Sequence, residues 1–256
     1  MPAEHNIWLR PFTDERLPEW PCPSCGAAQL KLTENVVAYA TKESKALRGH
    51  EDWEPDWYSG VFSTSFACGR CGEYIACCGA VEMGIDISDE DGSQYWVHEY
   101  HPKYCYPTPE IISTKKCPVS AKRLIEESFH LFWGDKESCA NRLRSALEEI
   151  LTDQKIPRFT INKHKKRQLL TLHSRIDRFK RQKSELADEM FAIKLIGNTG
   201  SHGKAKLTQQ DLLDMYHLIE YIISEIYDNR KSDIKKLAKL INKEKAPRSA
   251  AKAKKR

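Results

Sequence analysis

Two C-x-x-C-G motifs constrain the fold of this 256-residue chain more than any other feature of its sequence. They are CPSCG at 22–26 and CGRCG at 68–72. Two cysteines three positions apart can place both sulfurs on one metal ion, and the glycine that follows allows a tight turn that directs backbone amides at the thiolates. Together the motifs supply the tetrahedral set of sulfurs that Zn²⁺ prefers. We therefore expect one structural zinc ion, with these ligands: Cys22, Cys25, Cys68 and Cys71.

A site with four cysteine ligands has no open position for water, so the expected zinc ion stabilises the fold and performs no chemistry. Between Cys25 and Cys68 lie 42 residues, more than is usual in a zinc ribbon, and a long β-hairpin or an inserted loop must fill them. The adjacent Cys77 and Cys78 either replace a ligand or are small buried hydrophobic residues, and their apolar surroundings favour burial. The remaining three have no partner spacing and are expected to pack inside: Cys105, Cys117 and Cys139.

The apolar pattern and the N-terminus together predict a soluble, cytoplasmic protein with no membrane partner. No apolar run approaches the roughly 18–20 residues of a membrane span. The first residues, MPAEHNIWLRPF, lack the apolar core of a signal peptide. Without a secretory signal, metal binding explains the nine cysteines better than disulfide bonds do.

Strand-like and helix-like patterns divide the chain and predict an α+β fold. Up to about Thr108, segments such as VFSTSFAC and QYWVHEY are rich in β-branched and aromatic residues. YPTPE at 106–110 is typical of a proline-punctuated linker, and from Pro118 onward apolar residues recur at helical spacing. We therefore predict a β-rich, zinc-ribbon-like module over 1–110, an all-α bundle over 111–229, and a basic helix and disordered tail over 230–256.

The net charge of +5 conceals two strongly basic segments. Residues 230–256 hold twelve Lys/Arg against two Asp/Glu, and residues 157–183 hold ten Lys/Arg against one Asp, so the rest of the chain sums to −14. We interpret residues 157–183 as containing a basic helix that binds a nucleic-acid backbone. The alternatives are a solvated helix face here and a disordered, solubilising tail at the end. The candidate contact residues are Lys165, Lys166, Arg167, Arg175, Arg178 and Arg181.

An aromatic cluster, HEDWEPDWYSG at 50–60, lies inside the expected zinc module. Exposed aromatic side chains could stack on bases or bind a peptide. The acidic residues beside them disfavour a phosphate backbone at this point. The alternative, which we favour, is a local aromatic cluster that covers the small β module.

The segment IGNTGSHG at 196–203 interrupts a helical pattern with glycines and polar residues. Lys194, Asn198 and His202 are spaced i, i+4, i+8, so a continuous helix would present a cation, an amide and an imidazole in one row. Gly197 and Gly200 remove side chains beside that row, which would let another helix or a nucleic-acid backbone approach. The alternative is that Asn198 or Gly200 ends the helix and His202 lies in the following loop.

At this point the helical half resembles the bacterial family catalogued as domain of unknown function 4145. The resemblance covers roughly residues 118–228 and is carried by NRLRSALEEIL and AIKLIGNTGSH. Its most specific parts are Arg144–Glu148 and Gly197–His202. The family is grouped with the HEPN-like helical domains, which implies a bundle of four to five helices that often dimerises. Some members carry a cysteine-pair module in front, as this chain does.

Many HEPN-like relatives are metal-independent ribonucleases of phage defence and toxin–antitoxin systems, with an Arg, a polar residue and a His as their motif. Asn198 and His202 match the polar and His positions, whereas Gly197 stands where Arg is expected and Lys194 lies three residues before it. The resemblance therefore implies a degenerate site in which His202 transfers the proton, and Lys194 and Asn198 stabilise the phosphorane. Residues Arg144 and Glu148 are expected to orient the motif helix or to form an ordinary surface ion pair.

Three functions follow as expectations. The first is an RNA-binding effector, with or without metal-independent endoribonuclease activity, that acts as a homodimer in a bacterial defence or stress system. The second is a non-catalytic, dimerising protein-interaction module stabilised by zinc. The third is a DNA-associated accessory factor of a restriction-type system.

Overall fold

The computed structural model describes residues 7–88, 91–202, 206–228 and 230–244, and gives only the backbone for 199–202, 230–233 and 244. Its first half is a curled antiparallel sheet. Strands β3, β4 and β5 are consecutive neighbours, and β1 and β2 pair with different parts of the free edge of β3. A short helix α1, Lys42–Leu47, connects β2 to the segment before β3. The strands are β1 Leu30–Leu32, β2 Val37–Ala40, β3 Ser59–Cys68, β4 Tyr74–Ile87 and β5 Gln94–Tyr106.

Strand β3 shows why this part of the chain forms a sheet with one covered face. Phe62, Phe66 and Cys68 point to the core, whereas Val61 and Ser63 are exposed, as the two-residue period of a strand requires. A register shift follows Cys78 in the β4–β5 pairing. The shift depends on Gly79, because a Cβ there would collide with the carbonyl oxygen of His101.

The second half is helical, so the predicted α+β fold is confirmed in its coarse form. Helix α3 packs against α2, α5 and α6, and three of the helices begin at a side-chain cap. The caps are Asp135, Thr171 and Thr208, the last forming a capping box with Asp211. No helix in the described part of the chain is long and apolar enough to cross a membrane. The helices are α2 Val119–Phe129, α3 Lys136–Asp153, α4 Leu172–Lys180, α5 Ala187–His202, α6 Gln209–Tyr227 and α7 Arg230–Glu244.

The predicted basic helix is wrong over its first part, because residues 159–169 form a β-hairpin. Strand β6, Phe159–Ile161, pairs antiparallel with β7, Arg167–Leu169. The Asn162 side chain accepts hydrogen bonds from the backbone amides of His164 and Lys166, at 3.0 Å each, and closes the turn. Lys165, Lys166 and Arg167 therefore lie at a hairpin tip, and only the residues from Leu172 onward are helical.

The predicted linker does not separate the two halves, which share one continuous hydrophobic core. Immediately after YPTPE, Ile111, Ile112 and Thr114 are buried. The N-terminal segment joins the halves: Phe12 contacts Phe62, Phe66 and Tyr100 of the sheet, while Trp8 contacts Phe132 and Trp133 beyond α2. These aromatic contacts place the N-terminal segment between the sheet and the helices.

Candidate metal centre and polar helix seam

The two C-x-x-C-G motifs form two similar turns that meet. In the first, the Gly26 amide donates to the Cys22 carbonyl at 2.8 Å, and in the second the Gly72 amide donates to the Cys68 carbonyl at 2.9 Å. Both glycines have positive φ, 72° and 78°, which explains why glycine ends each motif. The Ser24 hydroxyl donates to the Glu73 carboxylate and ties the turns together.

The four sulfur atoms lie close enough for one tetrahedral ion. All lie within 4.8 Å of one another, with 3.6 Å between the Sγ atoms of Cys22 and Cys71 and 3.7 Å between those of Cys25 and Cys68. A tetrahedron with Zn–S bonds of about 2.3 Å has edges of about 3.8 Å. The predicted set of four cysteines is thus brought together in a geometry that could hold a metal, and zinc as its identity stays a prediction.

The electrostatics of this cluster favour a cation at its centre. Backbone amides of Cys71 and Arg70 donate to the Cys68 sulfur and lower the pKa of this thiol to about 6. The Glu73 amide lowers the pKa of Cys71, but the Cys25 sulfur, burial and the Cys22 sulfur together raise it to about 12. Sulfurs this close cannot all carry negative charge without a positive ion between them.

The other cysteines do not join this cluster in the described residues. Cys77 and Cys105 are buried neighbours on β4 and β5, with their Sγ atoms 3.2 Å apart, while Cys78 is exposed on the opposite face of the sheet. The expectation that both residues of the Cys77–Cys78 pair are buried is therefore wrong for Cys78, because successive strand residues face opposite sides. Cys139 is buried as expected, and Cys117 is partly buried.

Helix α5 runs through both glycines to His202, so the polar row lies on one continuous helix. Lys194 and Asn198 are half-buried on it, one turn apart. The backbone of His202 ends the helix, but its side chain lies outside the described residues, and so does the prediction about its role. The alternative in which the helix ends at Asn198 or Gly200 is wrong.

Helix α3 contributes a cation to this row that the sequence did not assign. Arg144 Nη1 donates to Asn198 Oδ1 at 2.6 Å. Position 197 packs against this arginine, since a Cβ there would lie in ordinary contact, 3.5 Å from both Cβ and Cδ of Arg144. Gly197 faces α3 and is buried, so an arginine in its place would not point into solvent. The Arg144–Glu148 spacing indicated a structural role but not that Asn198 is the partner.

The six predicted nucleic-acid contacts do not share one surface. Arg175 is only 1% exposed, and its Nη2 donates to Thr152 Oγ1 at 2.8 Å and to the Ile156 carbonyl at 3.2 Å. Its Nη1 lies 3.7 Å from Glu148, and burial lowers the pKa of this guanidinium. Arg175 is therefore an internal side chain that joins α4 to α3 and is not available to a phosphate backbone.

The other five remain accessible in varying degree. Lys165, Lys166 and Arg167 are exposed on the hairpin, with the Arg167 guanidinium 3.7 Å from the centroid of the Phe159 ring. On α4 and just beyond it, Arg178 is half-buried and reaches Thr160 of the hairpin at 3.5 Å, whereas Arg181 is exposed. Helix α4 packs on α5. The cations therefore lie on the hairpin and at α4, next to the helix that carries the polar row.

Comparison with known proteins finds a match to a family model in each half. Residues 10–108 match the model of a domain of unknown function (DUF8608), and residues 126–252 match that of a second domain of unknown function (DUF4145). No curated protein and no solved structure matches significantly. The resemblance of the helical half to the domain of unknown function 4145 is thus confirmed over residues 126–252, and the sheet half is similar to a different family.

Proposed function

We propose that the protein binds RNA through its helical half, which is a HEPN-like bundle, and that zinc stabilises a ribbon-like module in front of it. The observation that carries this proposal is the exposed basic tip of the β6–β7 hairpin. Lys165, Lys166 and Arg167 take part in none of the ion pairs of the described residues, so their charges are available to an outside anion. Phosphates neutralise such a cluster and release counterions, which makes binding sensitive to salt.

Charge reversal at the hairpin tests this proposal. We expect the Lys165→Glu/Lys166→Glu/Arg167→Glu variant to bind single-stranded RNA at least about tenfold more weakly at 50 mM salt. The slope of log K against log salt should fall by about 2, since each lost contact to a single strand contributes about 0.7. The matched control is Lys31→Glu/Lys42→Glu/Lys103→Glu, which changes the net charge equally at exposed positions in the sheet half. Equal binding by the two variants, or a preference for duplex DNA over RNA, would contradict the proposal.

We propose further that the polar row on α5, together with Arg144 of α3, acts as a ribonuclease site separate from the hairpin tip. Arg144 supplies the cation that position 197 lacks and holds the Asn198 carboxamide, while Lys194 lies one turn away on α5. In the proposed reaction His202 removes the proton from the RNA 2′-hydroxyl, which attacks the adjacent phosphorus and expels the 5′-oxygen as a 2′,3′-cyclic phosphate forms. Arg144 and Lys194 stabilise the charge that develops on the phosphorane oxygens. The leaving oxygen takes its proton from water or from the partner copy of a dimer.

Cleavage is tested separately from binding. Incubation with mixed RNA in EDTA should give products with 2′,3′-cyclic ends, and His202→Ala should abolish them. Arg144→Ala should lower the rate more than Arg144→Lys, because lysine keeps the charge but loses the planar donor pair. RNA retention without cleavage by the wild type would leave a binding protein and remove the enzymatic part of the proposal.

A dimer forms part of the proposal because α7 has an uncovered apolar stripe. Ile234, Leu237, Leu240 and Ile241 are 39–56% exposed, and by helical spacing Lys235, Lys239 and Lys243 lie on the opposite side of the helix. A second copy of α7 would cover the stripe without bringing these three lysines together. Leu237→Asp should convert the dimer to a monomer in analytical ultracentrifugation, whereas Lys239→Asp should leave it intact. As a homodimer of this kind, the protein would serve a bacterial defence or stress response.

A further inference from the structure

The sheet half contains a cavity that the RNA proposal does not use. Its volume is about 280 Å³, and it lies between helix α1, the aromatic segment that follows it, and the far end of the β4–β5 pair. Met83 and His98, which are opposite each other in the β4–β5 register, form part of its wall. The walls also include Lys45, Arg48, Trp53 and Tyr58. The cavity therefore lies beside the aromatic cluster at 50–60, and its walls come from residues that are far apart in the sequence.

The aromatic wall of the cavity offers flat ring faces. Trp53 is half-buried, and its Nε1 is shielded from solvent and has no hydrogen-bond partner among the described residues. The rings of Tyr58 and His98 lie with centroids 5.4 Å apart. Because this nitrogen is shielded even from water, a ligand in the cavity would contact the ring of Trp53 and not its N–H group. In contrast, Trp57 is 39% exposed, does not line the cavity and packs against His50.

The charge of the cavity is opposite to that of the half in which it lies. Residues 10–108 hold eight Lys/Arg against sixteen Asp/Glu, a net charge of −8. The cavity wall nevertheless has two cations, Lys45 and Arg48, and no carboxylate of the described residues lines it. The nearby Asp14 and Glu15 line a separate cavity beyond His98, where the hydroxyls of Tyr100 and Tyr95 donate to them. An anionic ligand is therefore favoured over a neutral or cationic one.

We propose that this cavity binds a nucleoside monophosphate. The base would stack against the rings of Trp53 and the Tyr58–His98 pair. The phosphate would lie between Lys45 and Arg48, whose guanidinium can donate two parallel hydrogen bonds. A volume near the lower end of the roughly 300–1,000 Å³ of small-molecule sites fits one nucleotide and not a longer strand. The site is distinct from the basic hairpin and does not depend on RNA binding there.

Isothermal titration of the metal-loaded full chain with AMP, GMP, CMP and UMP tests the proposal. At least one nucleotide should bind one site per chain with a Kd below about 1 mM. Arg48→Glu and Trp53→Ala should each weaken that binding by at least about tenfold, while Trp53→Phe, which keeps the stacking face, should retain most of it. The matched controls are Lys42→Glu on the same helix and Trp57→Ala in the same segment, and both should bind as the wild type does.

Three results would overturn the proposal. The first is the absence of saturable binding of all four nucleotides, and the second is wild-type affinity in either Arg48→Glu or Trp53→Ala. The third is equal affinity for AMP and either inorganic phosphate or adenosine, which would show that the base or the phosphate contributes nothing. The Lys165→Glu/Lys166→Glu/Arg167→Glu variant should bind the nucleotide normally, so failure here and failure of the RNA proposal give different results.

Discussion

At Gly197 the backbone of helix α5 lies against the side chain of Arg144 on α3. At the next residue, Asn198 Oδ1 accepts a hydrogen bond from Arg144 Nη1 at 2.6 Å. The contact at position 197 and this hydrogen bond together fix the position of the Arg144 side chain. A side chain larger than a methyl group at 197 would have to displace the arginine stem. Position 197 therefore packs against the Arg144 stem and has room for a side chain no larger than that of alanine.

Two substitutions at Gly197 should distinguish the effect of side-chain volume on stability from the effect of backbone flexibility. A Cβ 3.5 Å from two Arg144 carbons is an ordinary contact, so Gly197→Ala should stabilise the protein by about 0.4–1 kcal/mol through helix propensity. Gly197→Leu should destabilise it by about 1–3 kcal/mol, because the added atoms force Arg144 away. Urea unfolding at pH 7 measures both, and destabilisation by alanine equal to that by leucine would contradict this account.

The N-cap of helix α3 should make stability depend on pH. The Ser138 backbone amide and hydroxyl donate to Asp135 and hold the pKa of its carboxyl below the ordinary value. Because the folded-state pKa is the lower one, the stabilisation is present above the unfolded pKa of about 3.9 and is lost as the pH falls through the folded value. Asp135→Ala should cost about 1 kcal/mol at pH 7 and progressively less below pH 4.

Asp135→Asn is the matched control, since asparagine caps equally well and does not titrate. Urea midpoints of the three proteins between pH 7 and pH 3 measure the effect, and loss of metal in acid affects all of them alike. If the difference in stability between the wild type and Asp135→Ala stays constant down to pH 3, the Asp135 carboxylate is not its source.

At the scale of elements, the two cysteine turns hold the sheet together at one end. The second turn is the β3–β4 connection, and the first lies just before β1, which pairs with the last residues of β3. One ion on both turns would therefore join the N-terminal segment to the edge and centre of the sheet. A short edge strand such as Leu30–Leu32 contributes few hydrogen bonds by itself, so the ion is expected to stabilise this corner.

Metal removal tests this role. The purified protein should contain one zinc ion per chain, and a strong thiol-competing chelator should lower Tm by more than about 5 °C. Cys71→Ser should lose the metal and show a similar fall in Tm. Cys78→Ser changes an equally exposed cysteine outside the cluster and should retain both metal and Tm. Metal analysis with calorimetry gives both quantities, and a zinc content near zero in the wild type would refute the centre.

At the scale of the whole molecule, an aromatic junction makes one unit of two differently patterned halves. Trp8, Trp20 and Trp133 are each less than 5% exposed, with the Trp20 and Trp133 ring centroids 5.0 Å apart. The Trp20 Nε1 also donates to the Ile7 carbonyl at 3.1 Å. Since the N-terminal segment contacts both the sheet and the helices, the halves should unfold together.

Removing one ring should uncouple the halves. Trp8→Ala should destabilise the protein by about 3–5 kcal/mol and split its single thermal transition into two. Trp57→Ala removes an indole that is 39% exposed and should change stability by less than about 0.5 kcal/mol, with one transition kept. Calorimetry measures the number of transitions. Two transitions in the wild type would mean that the junction does not couple the halves.

Local rules account for much of what the sequence predicted. The strand-like first half, the helical second half and the two cysteine turns follow from residue periods and turn chemistry within a few positions, whereas the local pattern left open whether α5 continues through Gly197 and Gly200. The basic hairpin was missed for a local reason. Asn162 closes a turn inside a segment whose charge and leucine spacing resemble a helix.

Contacts between distant residues were decided only by the tertiary structure. Arg175 and Arg181 are alike in the sequence, yet one is buried against Thr152 and the other is exposed, because helix α3 lies over only one of them. The Arg144–Asn198 bond and the cavity beside Trp53 likewise join residues far apart in the chain. The sequence shows the charge of a residue and the face of the helix or strand on which it lies. Which residue it contacts depends on which helices and strands pack together.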